Sequence, residues 1–275
     1  MRTFTDSCAG PIFEEYLNQR GLRFEYEAVS GRKKPDYIIH GSSGDCIVEV
    51  KQIEDPSPMP NGGVKPYQPI RNKIKKTRCQ FGEYKHLPCG LVIYSKSIRC
   101  PPLPINILSA AFGPGFQQIN YVEGMIDPNP PRYRFFNKSE LPRDKEFLAN
   151  ATLTPNSNTT FSVLAMITHY ELHDLHLEIW RRAYEMQKRG EIVQTNDQFR
   201  LFNELESQME WSIRYAGTIR VIVIKNNCAR IPFPEDVFSG PFDQHWGWEN
   251  DSWQSIWIGE KLKTLYDNGV PFCML

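Results

Sequence analysis

Apolar residues recur along the first hundred positions with two different spacings. Apolar positions one turn apart indicate amphipathic helices, and alternation of apolar with polar residues indicates strands. The predicted elements are a helix at 11–20, strands at 23–29, 36–40 and 46–53, a helix at 69–85 and a strand at 90–94. The predicted order is therefore one helix, three strands, a helix and a strand.

The second half of the chain has a different character. Residues 101–160 hold nine of the 21 prolines and are expected to form ordered loops, with a hairpin around 117–136. Beyond them the pattern predicts a strand at 161–167, amphipathic helices at 171–189 and 197–211, and a strand at 219–224. We expect three parts: a core at 1–100, a Pro-rich insertion at 101–160, and an α/β extension at 161–275 that completes the same domain.

The segment between residues 31 and 51 carries the most informative chemistry. Alternation along the strand places Glu49 and Lys51 on one face, and a hairpin through the Gly-Ser-Ser-Gly-Asp turn brings Asp36 towards them. Two carboxylates and an ammonium at a buried sheet edge are costly unless they organise a metal or a water. The pattern favours a site for a hard divalent cation with Lys51 beside an attacking water. The alternative is a solvated hairpin whose Glu and Lys form a weak pair.

These residues resemble the PD-(D/E)xK nuclease superfamily, with Pro35-Asp36 as the first half of the motif and Glu49-Val50-Lys51 as the second. Gln80 and Tyr84 match the Gln-x-x-x-Tyr motif of its RecB-like branch, and Glu14 matches the acidic first helix. The resemblance covers roughly residues 9–95. The family's short Gly-x-x-Asp is stretched here, because Lys33-Lys34-Pro35 separates Gly31-Arg32 from Asp36.

The resemblance implies a restriction-endonuclease-like core (αβββαβ) with a mixed central sheet flanked by helices. It implies hydrolysis of phosphodiester bonds in nucleic acid, with DNA rather than RNA as the expected substrate. The expected cofactor is Mg²⁺, for which Mn²⁺ can substitute. The expected catalytic residues are Asp36, Glu49, Lys51, Gln80 and Tyr84. The expected metal ligands are Asp36, Glu49, the carbonyl of Val50 and Glu14; periodicity does not choose between Glu14 and Glu15.

Charge is unevenly distributed, although the net charge is zero. Residues 1–100 hold 16 Lys and Arg against 11 Asp and Glu, and the remainder holds 16 against 21. A basic stripe beside a metal-binding edge is the footprint of phosphate contact. The candidates for nucleic-acid binding are Lys34, Lys73, Lys76 and Arg78. The alternative is a solubilising helix face.

Two further groups of residues allow more than one interpretation. His169, His173 and His176 have the spacing of one helical face, which suits either zinc or a solvated edge. The tryptophans at 246, 248, 253 and 257 suit either base stacking or packing, with Trp253 and Trp257 expected to dock a helix onto the core.

Composition limits the remaining possibilities. No apolar run is as long as the ~18 residues of a membrane span, and the N-terminus lacks an apolar signal region. Seven scattered cysteines without a Cys-x-x-Cys pair favour a reducing, cytoplasmic compartment. We therefore expect a cytoplasmic nuclease, with a homodimer as a further expectation. The alternative from another class is a catalytically silent PD-(D/E)xK-fold module that binds nucleic acid or a protein.

Overall fold

The computed structural model describes residues 8–27, 34–54, 67–95, 103–113, 115–118, 121–122, 125–126, 132–135, 153, 158–191, 203–204, 207, 213–249 and 252–267. Within these ranges the main helices are α1 (Ala9–Gln19), α2 (Tyr67–Phe81), α3 (Pro104–Phe112), α4 (Asp174–Lys188) and α5 (Glu260–Asp267). The strands are β1 (Arg23–Tyr26), β2 (Tyr37–Gly41), β3 (Gly44–Ile53), β4 (Cys89–Ser95), β5 (Gly115–Gln118), β6 (Tyr121–Val122), β7 (Met125–Ile126), β8 (Arg132–Phe135), β9 (Phe161–His173), β10 (Ile213–Lys225), β11 (Gln244–Glu249) and β12 (Ser252–Ile258).

Ten strands form one mixed sheet in the order β1-β2-β3-β4-β9-β10-β11-β12-β8-β5. Strands β1, β2 and β3 form an antiparallel meander, while β3, β4 and β9 are parallel neighbours. Helix α2 makes the crossover that parallel β3 and β4 require. The sheet therefore runs without a break from the first hundred residues into the C-terminal half, and the predicted α/β class with a mixed sheet is confirmed.

The side chains of β3 alternate between two apolar layers. Cys46, Val48 and Val50 pack on the α1 side, and Ile47 and Ile53 pack on the α2 and α3 side. The period of two along a strand is what divides them. Glu49 and Lys51 share the odd-numbered face with Ile47 and Ile53, so α2 lies over the charged residues.

Helix α1 is fixed by an apolar stripe and a defined end. Its buried positions include Ile12, Phe13, Tyr16 and Leu17, as the spacing predicts. Gly21 follows with a φ of 66°, and the N–H of Leu22 donates to the carbonyl of Leu17 at 2.9 Å. A residue in this left-handed conformation ends a helix, and glycine adopts it without strain.

The first six elements appear in the predicted order, and the hairpin expected around 117–136 is confirmed by β5 pairing with β8, with β6 and β7 between them. Helix α3 was not predicted, because its apolar residues lie among prolines. Most of the helix expected at 197–211 falls outside the described residues. None of the helices in the described ranges is long and apolar enough to cross a membrane.

Two predictions about the C-terminal half are wrong. His169 and His173 lie on β9, and only His176 lies on α4, so the three do not form one helical face. Pairing with the equally long β10 keeps the chain extended as far as His173. Trp253 and Trp257 lie on β12 and not on a helix, because this segment pairs with β11.

Candidate active site

The hairpin of β2 and β3 sets Asp36 opposite Glu49. Tyr37 pairs with Val48 in the register, and a two-residue turn at Ser42-Ser43 closes the hairpin. The N–H of Asp36 donates to Glu49 Oε2 at 3.1 Å, and the N–H of Val50 donates to Asp36 Oδ2 at 2.8 Å. Each carboxylate therefore accepts a hydrogen bond from a backbone N–H at, or next to, the other acidic residue. We call Asp36 and Glu49 the carboxylate pair.

Lys51 and Gln80 complete a cluster around the carboxylate pair. The ammonium of Lys51 contacts Glu49 Oε1 and lies 4.0 Å from Asp36 Oδ2. The amide Nε2 of Gln80, on α2, donates to the same Glu49 oxygen at 2.6 Å. The side chain of Glu49 is fully buried, whereas Asp36 and Lys51 are 28% and 29% exposed. Solvent and ligands therefore reach the site past Asp36 and Lys51.

The electrostatics leave excess negative charge in the site. Burial raises the pKa of both carboxyl groups above their ordinary values, and the nearby Asp36 charge raises that of Glu49 further. The ammonium of Lys51 lowers both pKa values, and the amide of Gln80 lowers that of Glu49, but neither offsets burial. Two carboxylates share one contacting cation, so a second cation would be stabilised here.

Glu14 was expected to be a metal ligand, but it lies on α1, on the side of the sheet opposite α2. Its Oε1 accepts a hydrogen bond from the hydroxyl of Tyr37 at 3.1 Å. Tyr37 packs in the α1 layer, and burial together with Glu14 raises the pKa of its hydroxyl. In the part of the chain that the structure describes, no three His, Cys, Asp or Glu side chains are grouped to hold a metal ion. The role of Glu14 as a ligand stays a prediction.

Tyr84 is separated from Gln80 by the end of the helix. Helix α2 ends at Phe81 and not at Lys85 as predicted, and the N–H of Tyr84 closes a turn onto the Phe81 carbonyl at 3.0 Å. The ring of Tyr84 is 7% exposed and belongs to the apolar core. Gln80 and Tyr84 therefore do not share one helical face, and the catalytic role of Tyr84 stays a prediction.

The four basic candidates differ in their relation to the site. Lys34 is exposed two residues before Asp36. On α2, Lys76 and Arg78 are exposed, while Lys73 is half-buried. Burial lowers the pKa of Lys73, and the charges of Lys76 and Lys51 lower it further. The side chain of Lys73 is therefore within electrostatic range of Lys51, at the periphery of the site.

A clamp on the hairpin was not visible in the sequence. Asp236 accepts hydrogen bonds from the N–H of Ser42 at 2.6 Å and from the hydroxyl of Ser43 at 3.2 Å. These residues are almost two hundred positions apart, and no local pattern indicates their contact. The clamp ties the turn between β2 and β3 to the segment that precedes β11.

No family model matches the chain, and no curated protein matches it. Among solved structures the chain is similar to that of Pyrococcus furiosus SfsA in complex with Ca²⁺, with 19% identity and a TM-score of 0.18. The similarity covers 45% of this chain and 58% of the SfsA chain. At this TM-score it carries no weight for fold or function.

Proposed function

We propose that this chain is a metal-dependent nuclease that hydrolyses phosphodiester bonds of nucleic acid, with DNA as the expected substrate. The observation that carries the proposal is the convergence of Asp36 just before β2, Glu49 and Lys51 on β3, and Gln80 on α2, at a partly exposed place on the sheet. The order α1-β1-β2-β3-α2-β4 supports the further proposal of a restriction-endonuclease-like core. RNA stays an alternative substrate, and the homodimer stays a prediction.

The residues present fit a hard divalent cation. The carboxylate pair and the carbonyl of Val50 are oxygen donors, which Mg²⁺ and Mn²⁺ prefer. Burial that raises both carboxyl pKa values gives the site a physical reason to take up positive charge. When bound, such a cation supplies Lewis acidity towards the scissile phosphate and lowers the pKa of an attacking water.

The protein side chains have separate tasks in this proposal. Gln80 fixes the rotamer of Glu49 and, with Lys51, favours its ionised form. Lys51 is exposed enough to reach substrate, and it would orient the water and neutralise charge that develops on the phosphate. The N–H of Val50 keeps Asp36 Oδ2 directed along β3.

Cleavage assays on single-stranded, double-stranded and circular DNA, and on RNA, test the proposal in Mg²⁺ and in Mn²⁺. Asp36→Asn and Lys51→Met are each expected to reduce kcat by at least about 100-fold, since they remove groups that act in the transition state. Asp45→Asn is the matched control, because Asp45 lies on the same strand but is exposed and bonded to His40 at 2.8 Å. Undiminished cleavage by both site variants would refute the proposal.

The same assay separates the alternative from the nuclease. A catalytically silent module would bind nucleic acid with either metal and cleave none of the substrates. One observation favours this alternative: the described residues bring two carboxylates together and not three. Metal-dependent cleavage that Asp36→Asn abolishes would exclude it.

A further inference from the structure

One stripe of α2 leads away from the carboxylate pair. Lys73, Lys76 and Gln80 are three and four residues apart, so they lie along one side of the helix. Gln80 fixes one end of this stripe, because its amide donates to Glu49 at 2.6 Å. Seven residues of helix span about 10.5 Å. The stripe is therefore about as long as three nucleotides in one strand of a duplex, at about 3.4 Å each.

The cation of Lys51 is already engaged at the carboxylate pair. It contacts Glu49 and lies 4.0 Å from Asp36. Lys73 differs, because no carboxylate among the described residues forms an ion pair with it. The electrostatic influence of Glu54 favours its charge, but weakly in comparison with burial and the two neighbouring lysines.

In the free protein, the surroundings of Lys73 disfavour the charged form of its side chain. The side chain is half-buried, and Lys76 and Lys51 add like charge around it. A solvated helix face would let a lysine turn away from such neighbours. An anion beside Lys73 would remove the unfavourable interactions, and a nucleic-acid backbone supplies one.

We infer, on the basis of the proposed nuclease function, that Lys73 and Lys76 bind backbone phosphates that flank the scissile one. The substrate class is then a strand with several phosphates, and a single isolated phosphodiester lacks the groups that this stripe binds. Lys73 is a substrate-binding residue here, whereas Lys75, on the opposite side of α2, is not part of the stripe.

Binding of a fluorescently labelled oligonucleotide in EDTA tests the inference without cleavage. Lys73→Gln is expected to weaken binding about ten-fold at low salt. The slope of log K against log salt is expected to fall by about 0.7 to 0.9 for the lost contact. Lys75→Gln is the matched control, and Lys73→Arg is expected to keep most of the affinity. Equal binding and equal slopes for Lys73→Gln and Lys75→Gln would overturn the inference, as would an absence of binding by the wild type.

Kinetics on two substrates separate this inference from the nuclease proposal. For an oligonucleotide, Lys73→Gln should raise KM about ten-fold with little change in kcat. For bis(p-nitrophenyl) phosphate, which has no flanking phosphate, the loss in kcat/KM for Lys73→Gln should be much smaller than for the oligonucleotide. Equal losses on both substrates, or a loss in kcat alone, would overturn the inference while the nuclease stands. Lack of cleavage by the wild type would overturn the nuclease proposal, and the binding experiment would still decide the role of Lys73.

Discussion

Replacing Tyr16 by Phe removes a hydroxyl that joins the two halves of the chain, through the Asp243 carboxylate and, at 3.4 Å, the Val237 carbonyl. Tyr16 lies on α1 and is 2% exposed, and its hydroxyl donates to Asp243, which is 1% exposed at the start of β11. The N–H groups of Val221 and Gly240 also donate to this carboxylate, at 2.8 Å and 2.6 Å. The replacement removes one of three donors from a buried acid and leaves the ring packing intact.

The expected loss is about 2 kcal/mol of unfolding free energy. Hydrogen bonds to charged groups contribute about 1.5 to 3 kcal/mol, and the two remaining N–H donors keep the loss below that of a stranded charge. Burial already raises the pKa of Asp243, and the Tyr16 hydroxyl opposes this increase. Because a raised native pKa makes stability fall as pH rises through it, the loss should grow from mildly acidic to neutral pH.

Urea denaturation at the two pH values measures this difference. Tyr26→Phe is the control, because Tyr26 is 39% exposed and its replacement should change stability by less than about 0.5 kcal/mol. A loss for Tyr16→Phe no larger than that of the control would show that the buried hydroxyl does not stabilise the fold. A loss of the same size at both pH values would show that the hydroxyl acts without the Asp243 charge.

Three further predictions follow from the packing and from the site. Gly259→Ala should destabilise the protein by about 3 kcal/mol, because a Cβ would lie 2.5 Å from the backbone of Pro241. Gly82→Ala is the control, because the nearest atom to its Cβ would be 3.6 Å away. Equal thermal unfolding midpoints for the two variants would contradict this close packing at Gly259. Gln80→Leu should move the acidic limb of the pH–rate profile to higher pH, because the lost amide raises the pKa of Glu49; an unmoved limb would contradict this role. Without metal, the raised pKa values of the carboxylate pair make stability fall as pH rises through them. The increase in melting temperature on adding Mg²⁺ should therefore be larger at neutral than at acidic pH. An increase that is independent of pH would contradict binding of Mg²⁺ by ionised carboxylates.

The hairpin of the site could be predicted because its signals are local. Alternation in β3 assigns Glu49 and Lys51 to one face, and the short turn fixes Asp36 opposite Glu49. The resemblance placed Gln80 among the catalytic residues, and the helix that carries it was expected from its periodicity, whereas its hydrogen bond to Glu49 is a finding of the structure. Local pattern and motif therefore agree on this cluster.

Contacts between distant segments had no such signal. The end of α2 at Phe81 depends on a turn that sends Tyr84 into the core, and helical periodicity continues past it in the sequence. The strand character of His173 depends on pairing with Ile213, forty residues later. The clamp by Asp236 depends on where the chain returns after β10. These features follow from tertiary pairing and not from local preference.

Titration of the metal-free protein with Mn²⁺, followed by calorimetry, tests most directly whether the carboxylate pair holds a divalent cation. We expect saturable binding to the wild type and to Asp45→Asn, and binding at least about ten-fold weaker to Asp36→Asn and Glu49→Gln. Equal Mn²⁺ affinity for the wild type and both site variants would show that the carboxylate pair does not hold the cation.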